Sequence, residues 1–174
     1  MTQPIVIIGF MGCGKSKIAR ALAQSLNLTM IDLDHSITAR TGRTPAQLMN
    51  EEGERAFRRI ETDALREVLE SGGAGIIALG GGAWIKAENR ELINQHSCAT
   101  VWLDVPFEVC WSRIESSADD RPLGKTRSQA HELYERRRPV YQLATTHIQL
   151  AGNEALEDKV SRIRKSISDP RLLR

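Results

Sequence analysis

The sequence predicts an α/β fold in which helices cover both faces of a parallel β-sheet. Five short runs rich in apolar and β-branched residues are expected to form strands, at residues 5–8, 29–33, 75–79, 99–103 and 147–150. Longer segments with helical periodicity alternate with them, at residues 15–26, 54–69, 88–95, 107–114, 129–141 and 154–167. The strand-like runs are apolar at successive positions, which is typical of strands buried on both faces. This alternation predicts βαβ units and a parallel sheet.

Length and composition favour one domain over residues 1–174 and exclude several classes of protein. The 24 Lys and Arg residues nearly balance 22 Asp and Glu residues, so the formal net charge is only +2, which argues against a protein built to coat nucleic acid. No apolar run approaches the roughly 20 residues of a membrane span. Because the first predicted strand begins at residue 5, we expect no signal or transit peptide. Three widely spaced cysteines, Cys13, Cys98 and Cys110, form no disulfide framework and indicate the cytoplasm.

A phosphate-binding motif, G-x-x-x-x-G-K-S, occupies residues 9–16 between the first predicted strand and the first predicted helix. Its glycines let backbone N–H groups point at phosphate oxygens, and the helix N-terminus favours negative charge. Lys15 would neutralise the β- and γ-phosphates and Ser16 would bind Mg²⁺. Cys13 is interpreted as a spacer, with a redox thiol as the alternative. The candidate nucleotide contacts are Gly12, Cys13, Gly14, Lys15, Ser16 and Lys17.

Two carboxylates, Asp32 and Asp34, come at the end of the second predicted strand. Residues two apart in a strand share a face, so both side chains are expected to project together at the carboxyl edge of the sheet. One carboxylate would hold Mg²⁺ through water, and the other would accept a proton from an attacking hydroxyl group. The alternative is a pair of capping aspartates before a helix that begins near His35.

Three further segments carry candidate binding residues. Arg58 and Glu61 lie three residues apart in a predicted helix, so the Glu61 carboxylate can hold the Arg58 guanidinium in position to bind the carboxylate of a ligand. By spacing alone, a solvated charged helix face is the favoured interpretation. The consecutive glycines Gly80, Gly81 and Gly82 end the third predicted strand and indicate either close approach of a ligand or a flexible turn. The polar run at residues 115–127 is long for a connection in a compact α/β domain and is a candidate lid.

Taken together, these motifs resemble those of shikimate kinases over nearly the whole chain. The ordered set is GFMGCGKS from residue 9, DLD from 32, FRRIE from 57, GGG from 80, RPL from 121 and ERRRPVY from 135. The resemblance implies the three-layer P-loop kinase fold, with a five-stranded parallel sheet in the order 2-3-1-4-5, a lid loop and a substrate-binding region at about residues 34–61. It also implies that a cytoplasmic monomer, which binds neither nucleic acid nor a membrane, uses ATP and Mg²⁺ to phosphorylate the 3-hydroxyl of shikimate for aromatic amino-acid biosynthesis.

On the nucleotide side, the resemblance assigns Lys15 to the phosphates, Ser16 to Mg²⁺ and Asp32 to the outer sphere of that ion. Arg113 falls where these kinases stack an arginine on adenine. Lys17 departs from the family, which usually has a second hydroxyl residue at that position. Lys17 would therefore either add a contact to the α-phosphate or remove a hydrogen bond.

On the acceptor side, Asp34 corresponds to the residue that binds shikimate hydroxyls and acts as the base. Arg58 corresponds to one clamp on the shikimate carboxylate. Arg137, the middle one of three adjacent arginines, corresponds by family spacing to the second clamp. The three glycines correspond to the loop that lines the shikimate pocket in this family, and Arg121 corresponds to a lid arginine that reaches the transferring phosphate.

Other functions are compatible with parts of this pattern. Paired arginines would also suit a kinase for a gluconate-type metabolite or for a nucleoside monophosphate, because guanidinium binds both carboxylate and phosphate. A catalytically silent nucleotide-binding module is a further alternative. A GTPase switch is excluded because the sequence lacks an NKxD guanine signature.

Overall fold

The computed structural model describes residues 3–117 and 123–167. Within these ranges the strands are β1 (Ile5–Ile8), β2 (Met30–Asp32), β3 (Ile76–Ala78), β4 (Ala99–Asp104) and β5 (Thr146–Gln149). The helices are α1 (Lys15–Leu26), α2 (Leu33–Thr41), α3 (Pro45–Glu52), α4 (Glu54–Glu70), α5 (Ala87–Gln95), α6 (Phe107–Glu115), α7 (Arg127–Tyr141) and α8 (Leu156–Ile167). A short 3₁₀ turn, Ala83–Ile85, follows β3.

The five strands form one parallel sheet in the order β2-β3-β1-β4-β5, which confirms the predicted fold class and strand order. β1 lies at the centre, with Ile5 opposite Ile76 of β3 on one side and Ala99 of β4 on the other. The chain leaves β1 towards one side of the sheet and later returns to the other side. The carboxyl end of β1 is therefore the point at which doubly wound folds open a ligand crevice.

Burial follows strand position within the sheet. β1 and β3 are buried throughout, as their unbroken apolar runs predict. The edge strand β5 alternates instead, with Thr146 and Ile148 buried and His147 and Gln149 exposed. Burial on both faces was therefore the wrong expectation for β5, because an edge strand of this sheet is covered on one face only.

The chain turns from strand to helix at Asp32, earlier than the sequence indicated. The Asp32 carboxylate caps α2 by accepting the backbone N–H groups of Asp34 at 3.1 Å and His35 at 3.4 Å. Asp34 therefore lies in the first turn of a helix, and the prediction that both carboxylates share one strand face was wrong. The capping alternative is correct for Asp32.

Two short helices, α2 and α3, build one wall of the crevice. α2 is the helix that the capping alternative expected near His35, and it begins two residues earlier, at Leu33, whereas α3 was not predicted. α3 begins with a capping box, in which the Thr44 hydroxyl accepts the Gln47 N–H and the Gln47 side chain accepts the Thr44 N–H, with Pro45 at the first helical position. Among the described residues, no helix is long and apolar enough to cross a membrane. The three cysteines are buried free thiols.

Candidate active site

A cleft of about 750 Å³ opens at the carboxyl ends of the central strands. Its wall combines the loop after β1, the turn from β2 into α2, the glycines after β3, and residues of α3, α4 and α7. The predicted site residues that line it are Gly12, Gly14, Lys15, Ser16, Lys17, Asp32, Asp34, Arg58, Gly80, Gly81, Gly82 and Arg137. These predicted residues come from five separate segments of the sequence, and the fold brings them together in one cavity.

The loop between β1 and α1 is wound tightly around its lysine. The Lys15 ammonium donates to the carbonyl oxygens of Gly9 at 3.0 Å and Phe10 at 2.9 Å. A side chain at Gly12 is excluded, because φ is +77° and a Cβ atom would lie 2.5 Å from the Cys110 carbonyl oxygen. The loop therefore packs against α6 through bare backbone and leads directly into the N-terminus of α1, where negative charge is favoured.

Cys13 and Arg113 lie behind this loop, outside the cavity wall. The Cys13 thiol is buried, and its N–H donates to the Phe10 carbonyl. Arg113 donates to the carbonyls of Gly12 at 3.1 Å and Gly152 at 2.9 Å, so it ties the phosphate loop to the segment after β5. Burial of Cys13 fits a spacer, and the redox alternative has no exposed thiol to act through.

Ser16 and Asp32 are adjacent in the cleft. The Ser16 hydroxyl donates to the Asp32 carboxylate, with an Oγ–Oδ2 distance of 2.5 Å. One hydroxyl and one carboxylate at the phosphate end of a cleft are the hard oxygen ligands that Mg²⁺ uses when substrate phosphates and waters complete its shell. These two residues fit that ion. No cluster of three or more His, Cys, Asp or Glu side chains suited to a metal occurs among the described residues.

Asp34 is half-buried in the middle of the cleft between the phosphate loop and α4. Burial raises the pKa of its carboxyl, the neighbouring Asp32 charge raises it further, and the Lys15 and Arg58 cations act in the opposite direction. The bare Cα of Gly80 permits this position, because a Cβ there would lie 2.7 Å from Asp34 Oδ1. A partly desolvated carboxylate beside a phosphate loop is suited to accept a proton.

Arg58 is held by two carboxylates of its own helix. Its Nη1 donates to Glu61 Oε2 at 2.8 Å, while Nη2 donates to Glu54 Oε1 at 3.1 Å. Glu61 is only 1% exposed, and burial raises the pKa of its carboxyl despite the opposing effect of Arg58. Burial works to lower the pKa of Arg58, but the two glutamates outweigh it and the pKa lies above its usual value. The guanidinium lies against Gly82, where a Cβ would be 2.5 Å from its Cζ atom.

Arg137 is the only buried one of the three adjacent arginines in α7. It is 7% exposed, whereas Arg136 is exposed and Arg138 pairs with Asp104 at 3.3 Å. Within residues 3–117 and 123–167, no carboxylate lies within ion-pair distance of the Arg137 guanidinium. Burial lowers the pKa of Arg137. A buried cation without a carboxylate partner, facing a cavity, is a site for an anion.

Sequence reasoning did not identify several residues of the cavity wall. Thr44 and Pro45 begin α3, Met49 lies one turn later, and Phe57 lies beside Arg58. The capping sequence Thr44-Pro45 with Gln47 was the signal that could have located this wall. Leu123, in the predicted lid segment at residues 115–127, also lines the cavity. Arg121 lies outside the described residues.

Comparison with known proteins agrees with this geometry. The model of the shikimate kinase family matches residues 11–168. The chain belongs to the shikimate kinase family. It is 33% identical over 164 residues to the shikimate kinase of Ruegeria pomeroyi, covering 92% of this chain and 83% of that protein.

Solved shikimate kinases share the architecture. The enzyme from Acinetobacter baumannii, determined in complex with shikimate, superposes with a TM-score of 0.87 at 32% identity, covering 95% of this chain and 92% of that one. The enzyme from Bacteroides thetaiotaomicron superposes with a TM-score of 0.81 at 31% identity, covering 94% and 97%. Family membership confirms the resemblance and the enzyme class inferred from the motifs, while the role of each site residue stays a prediction.

Proposed function

We propose that this member of the shikimate kinase family transfers the γ-phosphoryl group of ATP to the 3-hydroxyl group of shikimate, with ADP as the second product. The observation that carries the proposal is the shared cleft, which places Lys15 of the phosphate loop, the carboxylate of Asp34 and the buried guanidinium of Arg137 around one cavity. Phosphoryl transfer requires positioning and charge neutralisation more than covalent chemistry, and these three groups supply both.

At the nucleotide end, the backbone N–H groups at the start of α1 and the Lys15 ammonium would hold the β- and γ-phosphates. Lys15 would exchange its two loop carbonyls for phosphate oxygens. Ser16 and Asp32 would hold Mg²⁺, which when bound withdraws negative charge from the phosphate oxygens. Lys17, exposed in the first turn of α1, lies on the same wall of the cleft and can reach a phosphate.

At the acceptor end, two arginines with different electrostatic surroundings would hold the shikimate carboxylate. Arg137 has no carboxylate partner among the described residues, so a bound carboxylate completes a buried ion pair. Arg58 is already paired with Glu54 and Glu61, so its contribution is a fixed hydrogen-bonding fork more than free charge. The glycines at 80–82 let these side chains and the ligand approach the main chain closely.

Asp34 would take the proton of the attacking hydroxyl. As the oxygen–phosphorus bond to the acceptor forms and the bond from the γ-phosphorus to the ADP oxygen breaks, that proton passes to the Asp34 carboxylate. The raised pKa makes this carboxylate a better base than an exposed aspartate. Residues 115–127 are proposed as the lid that excludes water, with Leu123 on the cavity wall and Arg121 as the candidate donor to the transferring phosphoryl group.

The same proposal includes a monomer in the cytoplasm that binds neither nucleic acid nor a membrane. The buried free thiols of Cys13, Cys98 and Cys110 fit a reducing compartment. A kinase for a gluconate-type metabolite is the second candidate, because its acceptor would also present a carboxylate to Arg137.

The deciding experiment measures ADP release with purified protein, ATP and Mg²⁺, and with shikimate, gluconate or AMP as acceptor. We expect shikimate-dependent release, and higher kcat/KM for gluconate or AMP would overturn the assignment. ATP binding without acceptor-dependent ADP release would support the silent-module alternative. Arg137→Ala should lose most shikimate-dependent activity, whereas Arg136→Ala, the exposed neighbour, is the matched control that should retain it.

A further inference from the structure

Tyr141, the last residue of α7, is outside the cavity wall but connects two of its parts. The ring is 2% exposed, and its hydroxyl donates to the Gly81 carbonyl oxygen at 2.5 Å. The ring stacks on Trp102 of β4, with centroids 6.1 Å apart and planes at 28°. The position of the hydroxyl group is therefore fixed by packing on one side and by a hydrogen bond on the other.

Arg137 lies four residues earlier on the same face of α7, and its guanidinium interacts electrostatically with the Tyr141 hydroxyl. Gly81 completes the arrangement, because a Cβ built there would lie 3.6 Å from Arg137 Nη1 and 3.3 Å from the Met11 N atom. A continuous chain of contacts thus runs from Arg137 through Tyr141 to the glycine loop and the phosphate loop.

We propose that Tyr141 is a positioning residue, whose hydroxyl group orients the Arg137 guanidinium towards the carboxylate of the acceptor. This inference rests on the proposed function and extends it. Arg58 is oriented by two glutamates, whereas no carboxylate of residues 3–117 and 123–167 lies within ion-pair distance of Arg137. A phenol can orient the Arg137 guanidinium without neutralising its charge. The arrangement leaves Arg137 with its full charge for the acceptor while fixing the direction of its N–H groups.

Tyr141→Phe tests the proposal, because it removes one oxygen atom and keeps the ring. We expect KM for shikimate to rise roughly tenfold, as loss of one oriented charged hydrogen bond predicts, with kcat and KM for ATP changed less than twofold. With a shikimate analogue whose carboxylate is reduced to a hydroxymethyl group, Tyr141→Phe should match the unaltered protein. An equal rise in KM for both acceptors would show a structural role only and overturn the proposal.

Tyr134→Phe is the matched control on the same helix. Tyr134 is also buried, 8% exposed, and also donates its hydroxyl to a backbone carbonyl, but that carbonyl belongs to Val105, at 3.1 Å, and not to the glycine loop of the cleft. We expect a similar loss of stability and an unchanged KM for shikimate. If the two variants raise this KM equally, the effect belongs to the loss of any buried hydroxyl and the proposal fails.

A second measurement keeps the hydroxyl of Tyr141 in place, in case Tyr141→Phe does not fold. The chain has two tyrosines, so 3-fluorotyrosine incorporated into the Tyr134→Phe variant labels position 141 alone. Shikimate should shift its ¹⁹F resonance and the hydroxymethyl analogue should shift it much less; equal or absent shifts would overturn the proposal. If the unaltered protein does not phosphorylate shikimate at all, the proposed function fails instead, so the two failures are distinguishable.

Discussion

Gly82→Ala tests whether the position of Arg58 sets recognition of the acceptor. Gly82 has φ −104° and ψ −15°, which alanine adopts without strain, so the substitution acts only through its added methyl group. That methyl would lie 2.5 Å from Arg58 Cζ and 2.6 Å from Nη1, whereas ordinary contact begins at 3.4 Å. The guanidinium must therefore move by about 1 Å, away from the position set by Glu61.

A displacement of about 1 Å in a substrate-positioning group costs up to roughly a hundredfold in rate. We expect kcat/KM for shikimate to fall by about that factor, mainly through KM, with KM for ATP changed less than twofold. Because Arg58 is the flexible end of a long side chain, the fold should accommodate the methyl group. The assay is ADP release at varied shikimate and saturating ATP, accompanied by thermal unfolding.

Gly73→Ala is the matched control, because a Cβ at that position meets nothing within 4 Å. It should leave both Michaelis constants unchanged. Wild-type kcat/KM for shikimate in Gly82→Ala would refute the reasoning, since it would mean that Arg58 can move by this distance without loss of acceptor recognition.

Three further predictions follow from burial and hydrogen bonding. Asp34→Asn should abolish turnover and retain ATP binding. Because burial raises the pKa of Asp34, its ionised form costs stability, so the free energy of unfolding of the variant at neutral pH should exceed that of the unaltered protein. This gain should vanish as pH falls to the ordinary carboxyl range, and chemical denaturation that shows no gain at neutral pH would contradict the reasoning. For the same reason the acid limb of the kcat/KM profile should lie above the ordinary aspartate value of 3.8, since activity is lost as pH falls through the raised pKa, and a limb at or below 3.8 would exclude Asp34 as the base. Arg113→Ala should raise KM for ATP roughly tenfold and leave KM for shikimate unchanged, because two hydrogen bonds from a charged donor to loop carbonyls are lost, and steady-state kinetics showing equal changes for both substrates would contradict this reasoning.

Much of the fold could be predicted from sequence because its elements carry strong local signals. β1 and α1 have the bounds that the sequence indicated, since an unbroken apolar run and a regular helical pattern flank the phosphate loop. α2 was predicted only as the alternative interpretation of Asp32 and Asp34, with a start near His35. Its sequence, LDHSITART, is rich in β-branched and short polar residues, so packing against the crevice, more than helix propensity, must stabilise it.

The candidate site shows the same division. The motif of Lys15 and Ser16 could be recognised because the residues are contiguous and the backbone supplies the site. Family spacing selected Arg137 among the three adjacent arginines, and its burial, which the sequence does not reveal, distinguishes it from Arg136 and Arg138. The contact of Tyr141 with Gly81 joins residues 60 positions apart, and no periodicity of the sequence predicts such a pairing.

The two hydrogen bonds from Lys15 to the carbonyls of Gly9 and Phe10 have a kinetic consequence. The ammonium group is already held in place by the loop when a nucleotide arrives, so each encounter exchanges partners and no long, freely rotating chain has to be immobilised. Much of the entropy loss of assembling this electrostatic centre is therefore incurred once, when the polypeptide folds, and is not repeated at every turnover.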